Sequence, residues 1–273
     1  MDKKRVLFIS QEMKPFLPSS DVSDIARKLP QGIQESGKEI RVFMPRYGVI
    51  NERRHQLHEV IRLSGMNLII NDIDHPLIIK VASVPQAKMQ VYFIDNDDFF
   101  KRKSTFANEK GEEFEDNDER AMFFSRGVLE TVKKLGWIPD VIHCHGWMSA
   151  LSVLYLKKLY HNEPHFDNIK VIYSVYNTSF NKNLGSDLKD KLKFDGLKDE
   201  DIELLNEGDF VSLNKLAMSL ADGVIKGSEK LDDELESYFE SLENPTLEYY
   251  PEESCVKPVG EFYDQIIGEL VEE

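Results

Sequence analysis

A buried strand near the start of the chain constrains the fold more than any other feature of the sequence. Residues 6–10 (Val-Leu-Phe-Ile-Ser) form a continuous apolar run after charged residues, which is typical of a central parallel strand covered on both faces. Residues 21–36 carry apolar side chains at four-residue spacing and predict a helix that Asp21 caps and Pro30 kinks or splits. A second strand follows at residues 40–44. This order predicts a right-handed βαβ unit.

The alternation of strands and helices recurs further along the chain. Apolar runs predict strands at residues 141–145 and 170–175, and helical periodicity predicts helices at residues 119–135, 148–160 and 213–220. Two more strands, at residues 77–81 and 90–95, are close enough in sequence to form an antiparallel hairpin. We therefore predict an α/β fold, a Rossmann-like, doubly wound and mostly parallel sheet with helices on both faces.

The last part of the chain shows no boundary between two domains. Residues 223–227 predict a short strand, and Ser228 is a candidate cap for a helix at residues 232–242. We predict that residues 1–273 form a single domain, in which residues 244–273 are an acidic tail with a docked terminal helix. The apolar positions of that helix are Phe262, Ile266, Ile267 and Leu270.

The charge of the chain narrows the range of partners. It has 49 acidic and 34 basic side chains, with a formal net charge of −15. Such a surface repels nucleic-acid backbones and anionic lipids, so we expect neither nucleic acid nor a membrane as partner. A nucleotide-sugar ligand would need a local positive patch. Cys144 and Cys255 form no Cys-x-x-Cys pair, and no signal peptide or long apolar span is evident, so we predict a cytoplasmic protein.

Residues that follow two predicted strands are candidates for a ligand site. The turn after the first strand contains no glycine, so it lacks the loop whose amide groups bind phosphate in glycine-rich motifs. His143 and His145 alternate along a predicted strand and point to the same side of it. They could bind a metal or move a proton, but no third ligand stands at zinc-site spacing. We expect partly buried histidines in a cleft wall, with no metal and no cofactor.

Several short motifs occur in an order that is specific as a set. Residues 139–147 read Pro-Asp-Val-Ile-His-Cys-His-Gly-Trp, and residues 46–54 read Arg-Tyr-Gly-Val-Ile-Asn-Glu-Arg-Arg. The other segments of the set are residues 6–10, 12–16, 24–30, 41–47, 91–95, 118–125 and 216–222. Together they resemble the N-terminal lobe of bacterial glycogen and starch synthases, glycosyltransferase family 5, in a short form found in Bacteroidetes-type bacteria.

This resemblance implies one lobe of a two-lobed, ADP-glucose-dependent glucosyltransferase of the GT-B fold. Carried over position by position, it assigns a vestigial substrate cleft. The residues of that cleft are Ser19, Ser20, Asp21, His143, His145, Trp147 and Asn177. No residue receives a catalytic role from it.

Departures from the family pattern affect the expected chemistry. The family turn Lys-Thr-Gly-Gly-Leu is replaced by residues 18–22 (Pro-Ser-Ser-Asp-Val), so the cation and both glycines are lost and a carboxylate is added. Met148 replaces a histidine that reaches the glucose in the family, and Tyr176 replaces another histidine. The length of the chain also leaves no room for the second lobe, which holds the nucleotide in these enzymes.

These departures leave several interpretations open, and whether the chain is an enzyme is one of the open points. We favour a degenerate lobe, related to the glucosyltransferases of glycogen synthesis, that is non-catalytic alone. The alternatives are an active half completed by a separate C-terminal lobe, a carbohydrate-binding or regulatory protein, and a different small-ligand enzyme that uses the same cleft. The expected partners are weakly bound ADP-glucose or α-glucan, and a chain with a second lobe or another copy of this chain.

Overall fold

Ten strands form the sheet of the computed structural model, which describes residues 3–84 and 87–268. In chain order these strands are β1 (Arg5–Ser10), β2 (Glu39–Pro45), β3 (His58–Glu59), β4 (Met66–Ile70), β5 (Ile73–Val84), β6 (Met89–Asp95), β7 (Val141–His145), β8 (Lys170–Val175), β9 (Gly223–Lys226) and β10 (Thr246–Leu247). The α-helices of the same residues are α1 (Asp21–Glu35), α2 (Glu52–His55), α3 (Asp97–Phe100), α4 (Asn117–Leu135), α5 (Ala150–Lys158), α6 (Leu188–Phe194), α7 (Phe210–Leu220), α8 (Asp233–Glu240) and α9 (Val256–Ile266). Short 3₁₀ turns lie at Trp147–Ser149, Asp199–Asp201 and Glu203–Leu205.

The order of the strands shows a doubly wound, mostly parallel sheet. It runs β10-β9-β8-β7-β1-β2-β6-β5-β3, and β4 pairs with β5 outside this path. Neighbours from β10 to β6 are parallel, whereas β5 is antiparallel to β3, β4 and β6. The chain leaves β1 towards β2 and leaves β7 in the opposite direction towards β8. The predicted fold class and the predicted antiparallel hairpin of β5 and β6 are therefore confirmed.

Helices cover both faces of this sheet. Helices α1 and α9 pack against each other on one face, and α5 packs against α4 and α7 on the other. The two faces follow from handedness, because right-handed crossovers that run in opposite directions along a sheet lie on opposite sides of it. Every residue of the central strand β7 is buried between these layers. No helix of the described residues is both long and apolar enough to cross a membrane.

Helix α1 differs from its prediction at the cap and at Pro30. The cap is Ser20, not Asp21: Ser20 Oγ accepts the amide hydrogen of Ser23 at 3.1 Å, and Ser23 Oγ accepts that of Ser20 at 2.9 Å. Ser20 has the extended backbone that a cap needs, so Asp21 becomes the first helical residue. Pro30 lies within a continuous helix, and the predicted split is wrong because α1 packs along β1 and β2.

The helix after β9 also has a different cap from the one predicted. The side chain of Asp232 accepts the amide hydrogen of Glu234 at 2.9 Å and caps α8. Ser228 lies four residues before Asp232 and makes other contacts, which belong to the cleft described below.

Helix α9 packs closely on the edge of the parallel strands. A side chain at Gly223 would lie 2.9 Å from the ring of Phe262, so only glycine permits this approach of α9 to β9. Phe262 is buried, and Ile266 packs against the core from a partly exposed position. Leu270 lies outside the described residues. The assignment of residues 1–273 to one domain stays a prediction.

Candidate functional site

The candidate cleft lies where the chain reverses its direction along the sheet, at the point where the loops that follow β1 and β7 meet. Open α/β sheets bind ligands at this switch point. Gln11 joins the two loops. Its backbone amide donates to the His145 carbonyl at 3.3 Å, and its side-chain Oε1 accepts from the Met148 backbone amide at 3.1 Å. Gly146 has a φ of +81°, and a side chain there would lie 2.5 Å from that of Gln11. Glycine is therefore required for the two loops to meet.

One rim of the cleft is the first turn of α1. Asp21 is exposed, and one of its carboxylate oxygens accepts a hydrogen bond from Ser228 Oγ at 2.9 Å. The same Ser228 oxygen accepts the amide hydrogen of Asn177 at 3.1 Å. Ser228 thus connects α1 with the loops after β8 and β9. From the sequence, Ser228 is predicted only as a helix cap, because its contact with Asp21 spans 207 positions.

Two serines complete this rim. Ser20 is partly buried, and its hydroxyl donates to Glu12 Oε2 at 3.1 Å. Burial raises the pKa of Glu12 despite this hydrogen bond. Ser19 is exposed and donates to a carboxylate oxygen of Asp24. Both hydroxyls are therefore engaged by acidic side chains rather than free to meet an anion.

The two histidines lie beneath the cleft, which corrects the expectation of partly buried residues in its wall. His143 and His145 are fully buried, with ring centroids 3.8 Å apart. His143 hydrogen-bonds Ser174 Oγ and the Tyr263 hydroxyl, each at 2.7 Å, so α9 closes over it. His145 Nδ1 lies 2.8 Å from the Tyr176 hydroxyl.

Burial determines the charge of this histidine pair. Desolvation lowers the pKa of His143 well below its usual value, and the neighbouring His145 lowers it further. Desolvation also lowers the pKa of His145 to about 3. Both rings are therefore neutral near pH 7 and offer no positive charge to a phosphate. His145 Nε2 forms no hydrogen bond with any described residue.

Trp147 and Met148 are also part of the core rather than the cleft surface. The Trp147 ring packs between Phe106 and Phe180, at centroid distances of 5.1 and 4.9 Å. Met148 is fully buried, and its sulfur accepts a hydrogen bond from the Tyr47 hydroxyl at 3.3 Å. Sulfur is a weak acceptor, but burial of Met148 beside the Tyr47 hydroxyl gives it this partner.

The open part of the cleft is a groove that the sequence analysis missed. We call it the acidic groove; it is lined by Asp21, Asp24, Ile25, Gly227, Tyr249, Pro251, Glu252 and Glu253. Desolvation raises the pKa of Tyr249, and nearby carboxylates, Asp21 foremost, add to this rise. Residues 249–253 of this lining belong to the segment that the sequence predicts only as an acidic tail with a docked helix. The adjacent Tyr249 and Tyr250 are the sequence feature that could have indicated a binding surface here.

Comparisons with known proteins identify the family. The model of the starch synthase catalytic domain matches residues 5–246. The chain belongs to this family. Glycogen synthase of Chlorobium limicola is 40% identical over 174 residues, which are 63% of this chain and 36% of that protein. Glycogen synthase of Chlorobaculum tepidum is 38% identical over 202 residues, 70% of this chain and 41% of that protein. The chain thus spans about two fifths of the length of these curated relatives.

A solved structure supports the fold of this starch synthase domain. The catalytic domain of starch synthase IV from Arabidopsis thaliana, bound to ADP and acarbose, superposes with a TM-score of 0.68. It covers 82% of this chain and 45% of the plant protein, at 20% sequence identity. This likeness confirms the α/β fold, and the family match over residues 5–246 confirms the resemblance to glycogen and starch synthases.

In this starch synthase domain, the residues assigned to the cleft separate into two groups. Ser19, Ser20, Asp21 and Asn177 lie at the rim, whereas His143, His145 and Trp147 are buried beneath it. The acidic groove can offer four carboxylates and the Tyr249 ring to a ligand. Among the residues that the structure describes, no three His, Cys, Asp or Glu side chains are grouped so as to hold a metal ion.

Proposed function

We propose that this domain is a degenerate glycogen/starch synthase lobe that does not transfer glucose from ADP-glucose by itself and that binds α-glucan in the acidic groove. The observation that carries the proposal is the lining of that groove, which has four carboxylates and no basic side chain among its described residues. We place the protein in the cytoplasm, where glycogen is its expected ligand.

Charge opposes a nucleotide diphosphate in this groove. A carboxylate and a phosphate oxygen 4 Å apart repel each other by about 1 kcal/mol even in water, and by more in a partly dry cleft. All four carboxylates of the groove add to this repulsion: Asp21, Asp24, Glu252 and Glu253. Lys14, the nearby cation of the β1–α1 loop, pairs with Asp24 at 2.5 Å and is not free to offset them.

The backbone of the first turn also offers little to phosphate. Phosphate groups bind helix N-termini through amide groups that have no partner within the helix. In α1 the Ser23 amide is already bonded to Ser20 Oγ, and the Ser20 amide to Ser23 Oγ. Two glycines that allow close approach in the family are Ser20 and Asp21 here. The turn therefore lacks the family's cation and both glycines, and two of its amides already have partners.

The sugar-contacting side of the cleft has changed in the same way. The resemblance assigns the family's glucose-contacting histidine to Met148, which is buried against Tyr47. The loss of one group that stabilises developing charge typically costs about 2.7–4 kcal/mol of transition-state stabilisation. Loss of the cation and of this histidine together is sufficient to abolish measurable turnover.

The same groove is suited to a neutral sugar. Carboxylates accept hydrogen bonds from hydroxyl groups without any charge conflict, and tyrosine rings offer an apolar face with a polar edge. Tyr249 is partly exposed beside Asp21 and Glu253, and Tyr250 is exposed next to it. Asn177 is exposed, and its backbone amide is bonded to Ser228, which also contacts Asp21. A glucan therefore meets carboxylate acceptors and the Tyr249 ring in the groove, with Asn177 close to its rim.

Isothermal titration calorimetry with maltoheptaose, ADP and ADP-glucose tests this proposal. We expect weak maltoheptaose binding that Tyr249→Ala abolishes, and no detectable binding of either nucleotide. Tyr238→Ala, a partly buried tyrosine on α8 outside the groove, is the matched control and should leave maltoheptaose binding unchanged. Incorporation of labelled glucose from ADP-glucose into glycogen should be absent.

The opposite outcomes are equally clear. Turnover of ADP-glucose, or tight ADP-glucose binding that is lost in Asp21→Ala, would contradict the proposal and show an active enzyme. Activity that appears only after a separate chain with a C-terminal lobe is added would instead support the half-enzyme alternative. Absence of maltoheptaose binding would remove the glucan-binding part and leave the catalytic part standing.

A further inference from the structure

A pocket on the β3–β5 side of the sheet has the opposite charge to the acidic groove. It has a volume of about 530 Å³, which is in the range of small-molecule sites. We call it the basic pocket; it is lined by Pro15, Phe16, Arg54, His55, Gln56, His58, Ser83 and Val84. None of these lining residues, all of which the structure describes, is acidic. Such a lining is unexpected in a chain with a formal net charge of −15.

The cation of this pocket is available to a ligand. Arg54 is exposed, and its guanidinium makes no ion pair or hydrogen bond with any residue in the described parts of the chain. Glu52, the acidic side chain two positions earlier, is already bound by Lys80 at 2.8 Å and by Arg46 at 3.0 Å. No local carboxylate therefore neutralises Arg54.

Two imidazoles add hydrogen-bonding groups beside Arg54, over an apolar base. His55 packs edge-on against the buried Phe16 ring, with centroids 5.0 Å apart, and Phe16 in turn packs against Phe93 at 4.9 Å. Burial lowers the pKa of His55, and the adjacent Arg54 lowers it further. Its ring is thus a neutral hydrogen-bonding group near pH 7 that a bound anion would help to protonate. His58 is exposed on the same side.

We infer that the basic pocket binds a small phosphate monoester, with the phosphate against Arg54, His55 and His58 and the organic part over Phe16 and Pro15. A guanidinium has the planar, forked geometry that binds two phosphate oxygens at once. The pocket is separate from the acidic groove, so this inference does not depend on glucan binding. It assigns phosphate recognition to Arg54, His55 and His58 rather than to residues 18–22, where the resemblance would have put it.

Calorimetric titration with phenyl phosphate, inorganic phosphate and phenol tests the inference. We expect phenyl phosphate to bind more tightly than inorganic phosphate, because its ring contacts the apolar base, and phenol to show no binding. Arg54→Ala should weaken phenyl phosphate binding at least tenfold, since it removes the charge-assisted hydrogen bonds to the phosphate. Arg53→Ala is the matched control, because Arg53 is exposed on the same short helix but does not line the pocket.

Proton NMR of the histidine rings localises the binding. Resonances of His55 and His58, assigned by His55→Gln and His58→Gln, should move during the phenyl phosphate titration while those of the remote His161 stay fixed. Equal weakening in Arg53→Ala and Arg54→Ala would overturn the inference, since it would show attraction by diffuse surface charge. Absence of binding at millimolar phenyl phosphate, or movement confined to His161, would overturn it as well.

Discussion

The buried floor of the cleft is hydrogen-bonded into the core of the molecule, whereas its open rim lies at the surface. In the floor, His143 and His145 are neutral, inaccessible and bonded to Ser174, Tyr176 and Tyr263. In the rim, carboxylates lie close together on the surface of the acidic groove. The floor therefore resembles a structural core, whereas the rim retains freedom to meet a ligand. Motif residues at the end of a strand can thus contribute mainly to stability, while neighbouring loop residues determine which ligands are accepted.

Removal of a floor histidine should have the largest effect on stability. His143→Ala leaves the hydroxyls of Ser174 and Tyr263 without their partner and opens a cavity below α9. We expect the free energy of unfolding to fall by about 4 kcal/mol, from unsatisfied polar groups and lost packing together. Urea denaturation followed by circular dichroism measures this. His161→Ala, at an exposed histidine, should change the value by less than about 0.5 kcal/mol. A change of similar size in both variants would contradict a structural role for the floor.

A fall in pH should distinguish the floor from the rim, because the floor contains the two histidines whose pKa values are lowered. Both have a lowered pKa in the folded protein, so their contribution to stability is complete above the unfolded pKa of 6.5 and is lost as the pH falls towards the folded value, about 3 for His145. Below pH 6.5 each histidine should reduce the free energy of unfolding by about 1.4 kcal/mol per pH unit. Urea denaturation from pH 7 to pH 5 measures this slope. In His145→Gln the slope should decrease by about 1.4 kcal/mol per pH unit, the contribution of one proton. An unchanged slope would show that His145 does not remain neutral.

Neutralisation of the rim should have the smallest effect on stability. Glu253 is exposed, so Glu253→Gln should change the free energy of unfolding by less than about 0.5 kcal/mol. Asp21→Asn should cost about 0.5 kcal/mol, because a carboxylate in the first turn interacts favourably with the helix dipole. Thermal unfolding of both variants measures these changes. A loss above about 2 kcal/mol in either would show that the rim is as structural as the floor.

The sequence predicts the central parallel strands well, because each is a short apolar run that can be recognised from neighbouring residues alone. Local information fails at the caps. Ser20 and Asp21 are adjacent and both suitable, and the choice depends on which of them has the extended backbone. Two further features were missed because they depend on contacts between residues that are far apart in the sequence. The cover over His143 comes from Tyr263, 120 positions away, and the acidic groove needs Glu253 beside Asp21. Contacts of this range follow from topology and not from any local pattern.

The hydrogen bond between His143 and Tyr263 also has a consequence for synthesis on the ribosome. Chains emerge from the N-terminal end, so β7 is made long before α9, the last helix of the described residues. During that interval His143 has only Ser174 as a partner, and its side of the sheet is open to water. Non-local contacts of this kind slow folding, because the chain between them must be ordered first. The nascent domain therefore passes through a stage in which His143, buried in the finished fold, is not yet covered by α9.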